Sequence, residues 1–474
     1  MEVVDAEILD PLEVRFSDLK LLSSSSSRAS SSLSSAELER LESISRAIME
    51  TLGPSGPGFL TISGVPKASE LRRILLPLAR KLALLSNDDR RRILKDHNLG
   101  SDVPLKNLNR TVSSFALQLR YVGDPTSEHT LSEKNYTNQE SHFSEEENPI
   151  GGKSIFEDNE FKNLGSIFKE LGFCMMELGF HLARVCDKAI GSQELEESLL
   201  ESCSAKGRLI HYHSTLDNFL LKEAGRKRST KLSAKCQFQS PCGSIDSGSC
   251  GRNKKNSVEF SKSERNVDQD QSCRTSLSDL WQQWHYDYGI FTVLTAPMFI
   301  SAWHPPTTEA KDGVCVETQQ ECLPPDGHTY LQIFDPNKNS LLVVRSSPEN
   351  IIIQVGESAD ILSKGKLRSA LHSVCRPIQQ ENISRETFVV FMQPSWSKTF
   401  SGFSRENVTV HSNCSGSYDE KIHLAKQEEH QLIQEIQKIV PPLSSRFKDG
   451  MTFAEFSRET TKQYYGGSGL QSNR

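Results

Sequence analysis

Apolar positions along this chain follow two periods. Phe161, Leu164, Phe168, Leu171, Met175, Leu178, Leu182 and Val185 recur at alternating steps of three and four. That spacing predicts one long helix with a continuous apolar stripe, a scaffold element that would back a sheet. Ser35-Ala36-Glu37-Leu38-Glu39 reads as a helix start, with a helical pattern to about Leu52, and Leu71 to Leu85 reads as another helix. From Leu280 to about Trp396 the period shortens to that of strands. Ile290–Leu294, Tyr330–Phe334, Leu341–Val344, Ile351–Val355 and Thr387–Phe391 are short β-branched or aromatic runs, with turn signals such as Asp335-Pro336-Asn337-Lys338-Asn339 between them. Beyond them, Tyr418–Val440 and Thr452–Tyr465 read as outlying helices.

Many short strands beside a few long helices predict an α+β chain with a mainly β core, a double-sheet jelly roll of the cupin kind flanked by helices. Segments of biased composition divide it. Residues 1–36 are expected as a disordered Ser-rich amino terminus, because the tract from Leu21 to Ser35 offers little to bury. Residues 37–200 form an amino-terminal helical and mixed region that includes the scaffold helix. The core is expected over 201–400, interrupted by a low-complexity insertion at 222–278 and a Pro-, Glu- and Thr-rich loop at 303–328. Residues 401–474 are expected as a helical tail.

Composition narrows the class of molecule. A chain of 474 residues with 36% hydrophobic and 24% charged residues is long enough for one large domain and an accessory layer. A net charge of −6 gives no general attraction to nucleic acid or membranes, and no apolar run is long enough to span a bilayer. The 11 scattered cysteines fit a reducing compartment. Cys236, Cys242, Cys250 and Cys273 lack the paired spacing of a zinc site. A cytoplasmic monomer acting on a small molecule is expected, without nucleic acid or membrane; the basic run Arg226-Lys227-Arg228 leaves a nuclear location open.

Chemistry concentrates at Trp284-His285-Tyr286-Asp287, at the mouth of an apolar strand. On a strand, residues two apart share a face, so His285 and Asp287 could offer an imidazole and a carboxylate to one ion. Of the 13 histidines, only His285 is followed two residues later by an acid. A second histidine would complete the two-His, one-carboxylate triad that holds Fe(II) and leaves positions open. His372 is the distal candidate. Thirteen residues later, Arg385 and Thr387 would share a strand face, where a guanidinium fork and a hydroxyl can hold a carboxylate.

Taken together these residues resemble the plant-type 2-oxoglutarate and Fe(II)-dependent dioxygenases of the isopenicillin-N-synthase-like superfamily. The motifs are His285-Tyr286-Asp287, Thr292-Val293-Leu294, Ala359 through His372-Ser373-Val374, Arg385-Glu386-Thr387, and upstream Arg208-Leu209-Ile210-His211-Tyr212-His213 and Gly58-Phe59 through Gly64-Val65-Pro66. The resemblance implies Fe(II) on His285, Asp287 and His372, with 2-oxoglutarate as co-substrate gripped by Arg385, Thr387 and Tyr212. With O2 it implies hydroxylation or desaturation of a small organic substrate, with release of succinate and CO2. Ile210 stands where the family has Asn, Ser373 where it has Arg, and Thr387 where it has Ser. Two other readings stay open: a catalytically silent jelly-roll binding or regulatory protein, and an oxidase of the same fold that does not use 2-oxoglutarate.

Overall fold

A computed structural model describes residues 3–24, 34–101, 110–121, 160–223, 272–276, 279–302, 319–338, 340–378, 382–401 and 438–465, with a few isolated positions between them. The strands are β1 Val3–Leu9, β2 Glu13–Arg15, β3 Phe59–Ser63, β4 Gly100–Ser101, β5 Val112–Arg120, β6 Ser204–Tyr212, β7 Ser272–Ser276 and β8 Leu280–His285. They continue as β9 Phe291–Thr295, β10 Met298–Ala302, β11 Gln319–Cys322, β12 Leu331–Asp335, β13 Ser340–Val344, β14 Ile351–Val355, β15 His372–Cys375 and β16 Ile383–Met392. The helices are α1 Phe16–Ser23, α2 Ser35–Leu52, α3 Ala68–Leu84, α4 Asn87–Asp96, α5 Leu164–Ile190, α6 Glu194–Ser202, α7 Glu357–Leu362, α8 Leu443–Arg446 and α9 Phe453–Tyr465.

Strands assemble into two large sheets, ordered β7-β1-β13-β12-β15-β8 and β2-β3-β14-β9-β16-β6-β5-β4, with β10 and β11 attached to the second through β16. Each contains an antiparallel quartet, β8-β15-β12-β13 at one end of the smaller sheet and β14-β9-β16-β6 within the larger. The quartets face each other, because Trp281, Leu331, Ile333 and Val374 of the smaller sheet pack in one buried cluster with Ile210, Leu294, Ile352 and Val389 of the larger. Alternation decides which side chains enter that interior. Along β16, Arg385, Thr387, Val389 and Phe391 border the cavity between the sheets, whereas Phe388, Val390 and Met392 pack with α5.

Helix α5 covers the outer face of the larger sheet. Its predicted stripe is buried from Leu164 to Val185, with Phe168 edge-on to Phe388 at 4.7 Å. Burying one such aromatic stabilises the layer by about 1.5–3 kcal/mol. The helix runs to Ile190 and ends at Gly191, whose φ of 75° is the left-handed conformation that closes a helix. Helix α2 begins at Ser35, where the start was expected, with Ser34 and Glu37 capping each other's backbone.

Several expectations need correction. The segment 1–36 is not wholly disordered: β1 pairs in parallel with β13 (Glu7↔Leu342) and antiparallel with β7, and α1 buries Leu19 and Ser23. β-Branched Val3, Val4 and Ile8 carry the strand signal that the serine tract behind them obscured. The insertions 222–278 and 303–328 each surrender a strand, β7 and β11, to the sheets. The tract 25–33 and most of the expected helix over Tyr418–Val440 lie outside the described residues. Among the described residues no helix is long and apolar enough to cross a membrane.

Candidate metal centre and its cavity

His285 ends β8 and His372 begins β15, and the two residues are paired across those strands, which brings their rings to 4.3 Å. Asp287 is not on the strand. It lies in the loop between β8 and β9, so the alternation expected for His285 and Asp287 is not what aligns them. The loop is instead clamped from behind: the backbone N–H groups of Gly356, Glu357 and Ser358 donate to the carbonyls of Ile290, Asp287 and Gly289 at 2.8–3.0 Å. Its approach is so close that a Cβ on Gly356 would lie 2.3 Å from the Gly289 carbonyl oxygen.

The three side chains point the right atoms inward. Nε2 of His285 is 3.7 Å from Asp287 Oδ1, and Nε2 of His372 is 3.7 Å from Asp287 Oδ2. Each ring's other nitrogen meets a backbone carbonyl, His285 Nδ1 that of Gln283 at 2.7 Å and His372 Nδ1 that of Ala370 at 3.0 Å. A carbonyl can only accept, so Nδ1 carries the proton and each Nε2 presents its lone pair to the centre. Thr292 donates its hydroxyl to Asp287 Oδ2 at 2.6 Å and fixes the carboxylate. Burial, then the neighbouring His372, pulls His285 down to about 4, so its imidazole is neutral at pH 7. With metal–nitrogen bonds of about 2.1 Å, adjacent ligands stand about 3 Å apart, and a slight closure of this triangle seats one ion. His304, in the 303–328 loop, lies outside the described residues.

Behind the triangle is a cavity of about 340 Å³ between the sheets, bordered by Tyr212, Leu294, Arg385, Thr387 and Val389 among others. Arg385 is 1% exposed and sits directly across from Tyr212 in the β16–β6 register. Its Nε donates to the Thr329 carbonyl at 3.0 Å, and the guanidinium lies 5.2 Å from the Tyr212 ring centre. Burial pulls the guanidinium below its ordinary value and pushes the Tyr212 hydroxyl above its own. An anion arriving there would meet a charged, desolvated fork. Thr387 lines the same wall, but its hydroxyl donates to the Thr295 carbonyl at 3.2 Å. To hold a carboxylate it would have to turn that proton into the cavity. Of the substituted motif positions, Ile210 faces the cavity, whereas Ser373 donates to buried Gln332 at 2.6 Å.

Sequence reasoning missed a second cluster on the opposite face of β6. His211, His213 and Asp217 are fully buried with ligand-type atoms converging. His211 Nδ1 is 2.9 Å from Glu386, His213 Nε2 is 2.8 Å from Ser113, and Arg80 Nε donates to Asp217 at 2.9 Å. Burial, then His211, holds His213 well below its ordinary value. Two carboxylates, Glu386 and Asp217, and two cations, Arg80 and Arg110, already surround these rings, so a dication would upset the cluster. The signal was present in the alternation of His211 and His213 around Tyr212.

A scan against protein-family models returns no match, and neither does a search of curated proteins. Among solved structures, a full-length Neurospora crassa protein in complex with alpha-KG and 5-formyluracil aligns at 13% identity over 90% of this chain and 99% of that chain, with a TM-score of 0.44. JOX2 in complex with 2OG, Fe and JA aligns at 13% identity over 86% of this chain and 81% of its own, TM-score 0.42. The rice dioxygenase for auxin oxidation aligns at 13% identity over 89% and 96%, TM-score 0.42. Similarity at this level does not assign the chain to a family.

Proposed function

We propose that this chain is an Fe(II)- and 2-oxoglutarate-dependent oxygenase that hydroxylates or desaturates a small organic substrate. The observation that carries the reading is the convergence of His285, Asp287 and His372 on one point at the rim of the cavity that also buries Arg385. The fit to iron rests on the donor set, two imidazoles and one carboxylate, which suits non-haem Fe(II) and leaves coordination positions open. On this reading the facing quartets are a double-stranded β-helix, a jelly roll, and residues 201–400 are the oxygenase core.

When bound, Fe(II) with 2-oxoglutarate and O2 supplies the oxidising power for the C–H bond, with succinate and CO2 as co-products. The chain's own residues do the rest. His285, His372 and Asp287 hold the ion, and Gln283, Ala370 and Thr292 fix how they face it. Arg385, steered by Thr329 and Tyr212, receives the far carboxylate of the co-substrate, with Thr387 beside it. Leu294, Leu331, Val374 and Val389 keep the intervening wall apolar and exclude water.

The test is anaerobic loading with Fe(II) and 2-oxoglutarate, read by the visible charge-transfer band, followed by succinate release in air. The native chain is expected to show both and to retain about one iron. His285→Ala should lose the iron, whereas His211→Ala should keep it. Absence of both signals in the native chain would leave the silent binding protein as the better reading. Iron without a band would favour the oxidase.

A further inference from the structure

Arg385 does not stand alone in charge. The β6 register sets Tyr212 opposite Arg385, Ile210 opposite Thr387, Arg208 opposite Val389 and Lys206 opposite Phe391. The rows extend across the sheet: Phe391 pairs with Thr292, and Thr292 with Gln354. Lys206, Arg208, Gln354 and Phe391 all border the cavity, at the end away from Arg385. Four residues of strand separate the Arg385 row from the Arg208 row, about 13 Å at 3.3 Å per residue. Arg208 is therefore carried by a separate row of the same wall, four residues along the strand from Arg385.

Charge and hydrogen bonding at this outer end call for an anion. Asp287 is the only acid among the described residues lining the cavity, against the cations Lys206, Arg208 and Arg385. Among the described lining residues the cations thus outnumber the acid by three to one, and Lys206 and Arg208 supply two of the three. Both are engaged with neighbouring groups in the chain, so an anion would join existing contacts. Gln354 is an independent sign: it is 2% exposed, and its amide nitrogen is buried without a hydrogen-bond partner. An orphaned buried donor is costly unless a ligand supplies the acceptor. Arg208 is also 5.0 Å from the Phe391 ring centre, which fixes its guanidinium at the wall.

Resting on the oxygenase reading, we propose that the substrate is a small organic anion whose carboxylate is taken by Lys206, Arg208 and the Gln354 amide at the cavity mouth. The body of the molecule then extends inward past Phe391 toward the metal ligands.

The test uses the full chain, loaded anaerobically with Fe(II) and 2-oxoglutarate, in equilibrium dialysis against phenylacetate, cinnamate and hexanoate and the amide and amine matching each. Retention is measured by mass spectrometry, and the charge-transfer band is recorded on the same samples. At least one acid should be retained on the order of tenfold more tightly than its amide. Lys206→Gln with Arg208→Gln should erase that preference, Arg208→Lys should keep most of it, and Arg208→Glu should shift it toward the amine. Equal retention of acids and amides, including none of either, overturns the inference. Acid preference in a protein that shows no band would keep the anion site and sink the oxygenase reading instead.

Discussion

Arg385 is where one side chain separates the alternatives. Arg385→Lys keeps the charge but loses the planar fork and the Nε bond to Thr329. Affinity for 2-oxoglutarate should fall on the order of tenfold or more, with iron content unchanged, as read by titration of the charge-transfer band. An unchanged affinity would show the wrong anchor; Arg368, which donates to Pro54 and Gly56 carbonyls, and Arg376, paired with Asp279 at 3.3 Å, are both committed elsewhere. A different loss is expected at Arg80→Met, which leaves Asp217 buried without its 2.9 Å partner. Stability should drop by about 3–5 kcal/mol in urea denaturation. At this scale the sequence was most legible where chemistry forces residue types into a short spacing. His285 with Asp287, and Arg385 with Thr387, could be read directly. His211 and His213 escaped because a histidine pair has no sign of its own: its Glu386, Arg80 and Asp217 partners come from three separate elements.

Elements were legible in proportion to their length and apolar period. Helix α5 was readable because a stripe of that length has no strand equivalent, and β14 because Ile351–Val355 is β-branched between a turn and a glycine. The position of Asp287 was not, because it depends on α7 packing against a loop some 70 residues earlier, as the bond from Ser358 Oγ to the Tyr288 carbonyl shows. Gly356→Ala should expose that dependence. Its new Cβ would meet the Gly289 carbonyl oxygen at 2.3 Å, backbone against backbone, and the Asp287 loop must shift. Iron affinity is expected to fall on the order of 10–100-fold, measured by competition with a chelator, while far-ultraviolet circular dichroism stays native. Native iron affinity in this variant would mean that the loop tolerates displacement. Helices α8 and α9 close the outside of the same region, with Tyr464 of α9 accepting from the Tyr286 N–H at 3.2 Å and Arg446 of α8 holding buried Glu357 at 2.5 Å.

For the molecule as a whole, composition misleads at the edges of the low-complexity segments. The stretch 222–278 reads as one polar insertion, yet β7 at its end pairs with β1 over five residues, and β1 in turn extends β13 in the smaller sheet. Without β7, β1 becomes an exposed edge whose N–H and C=O groups lose their partners. Two excisions separate the polar tract from the strand. Replacing 225–270 by a short Gly-Ser linker removes Ser-, Lys- and Gly-rich sequence with few large apolar residues, and should leave Tm within a few degrees. Replacing 225–278 also removes β7 and should lower Tm further, by on the order of 2–4 °C for each kcal/mol of lost pairing. Calorimetry of the two proteins decides between them. Equal Tm values would show that β7 contributes nothing to the sheet, and collapse of both would show that the polar tract holds a folded unit its composition conceals. The distance of β1 and β7 from the cavity adds a second readout: iron retention should be native in both proteins, because His285 and His372 pair with each other across β8 and β15, at the other end of the sheet from β7.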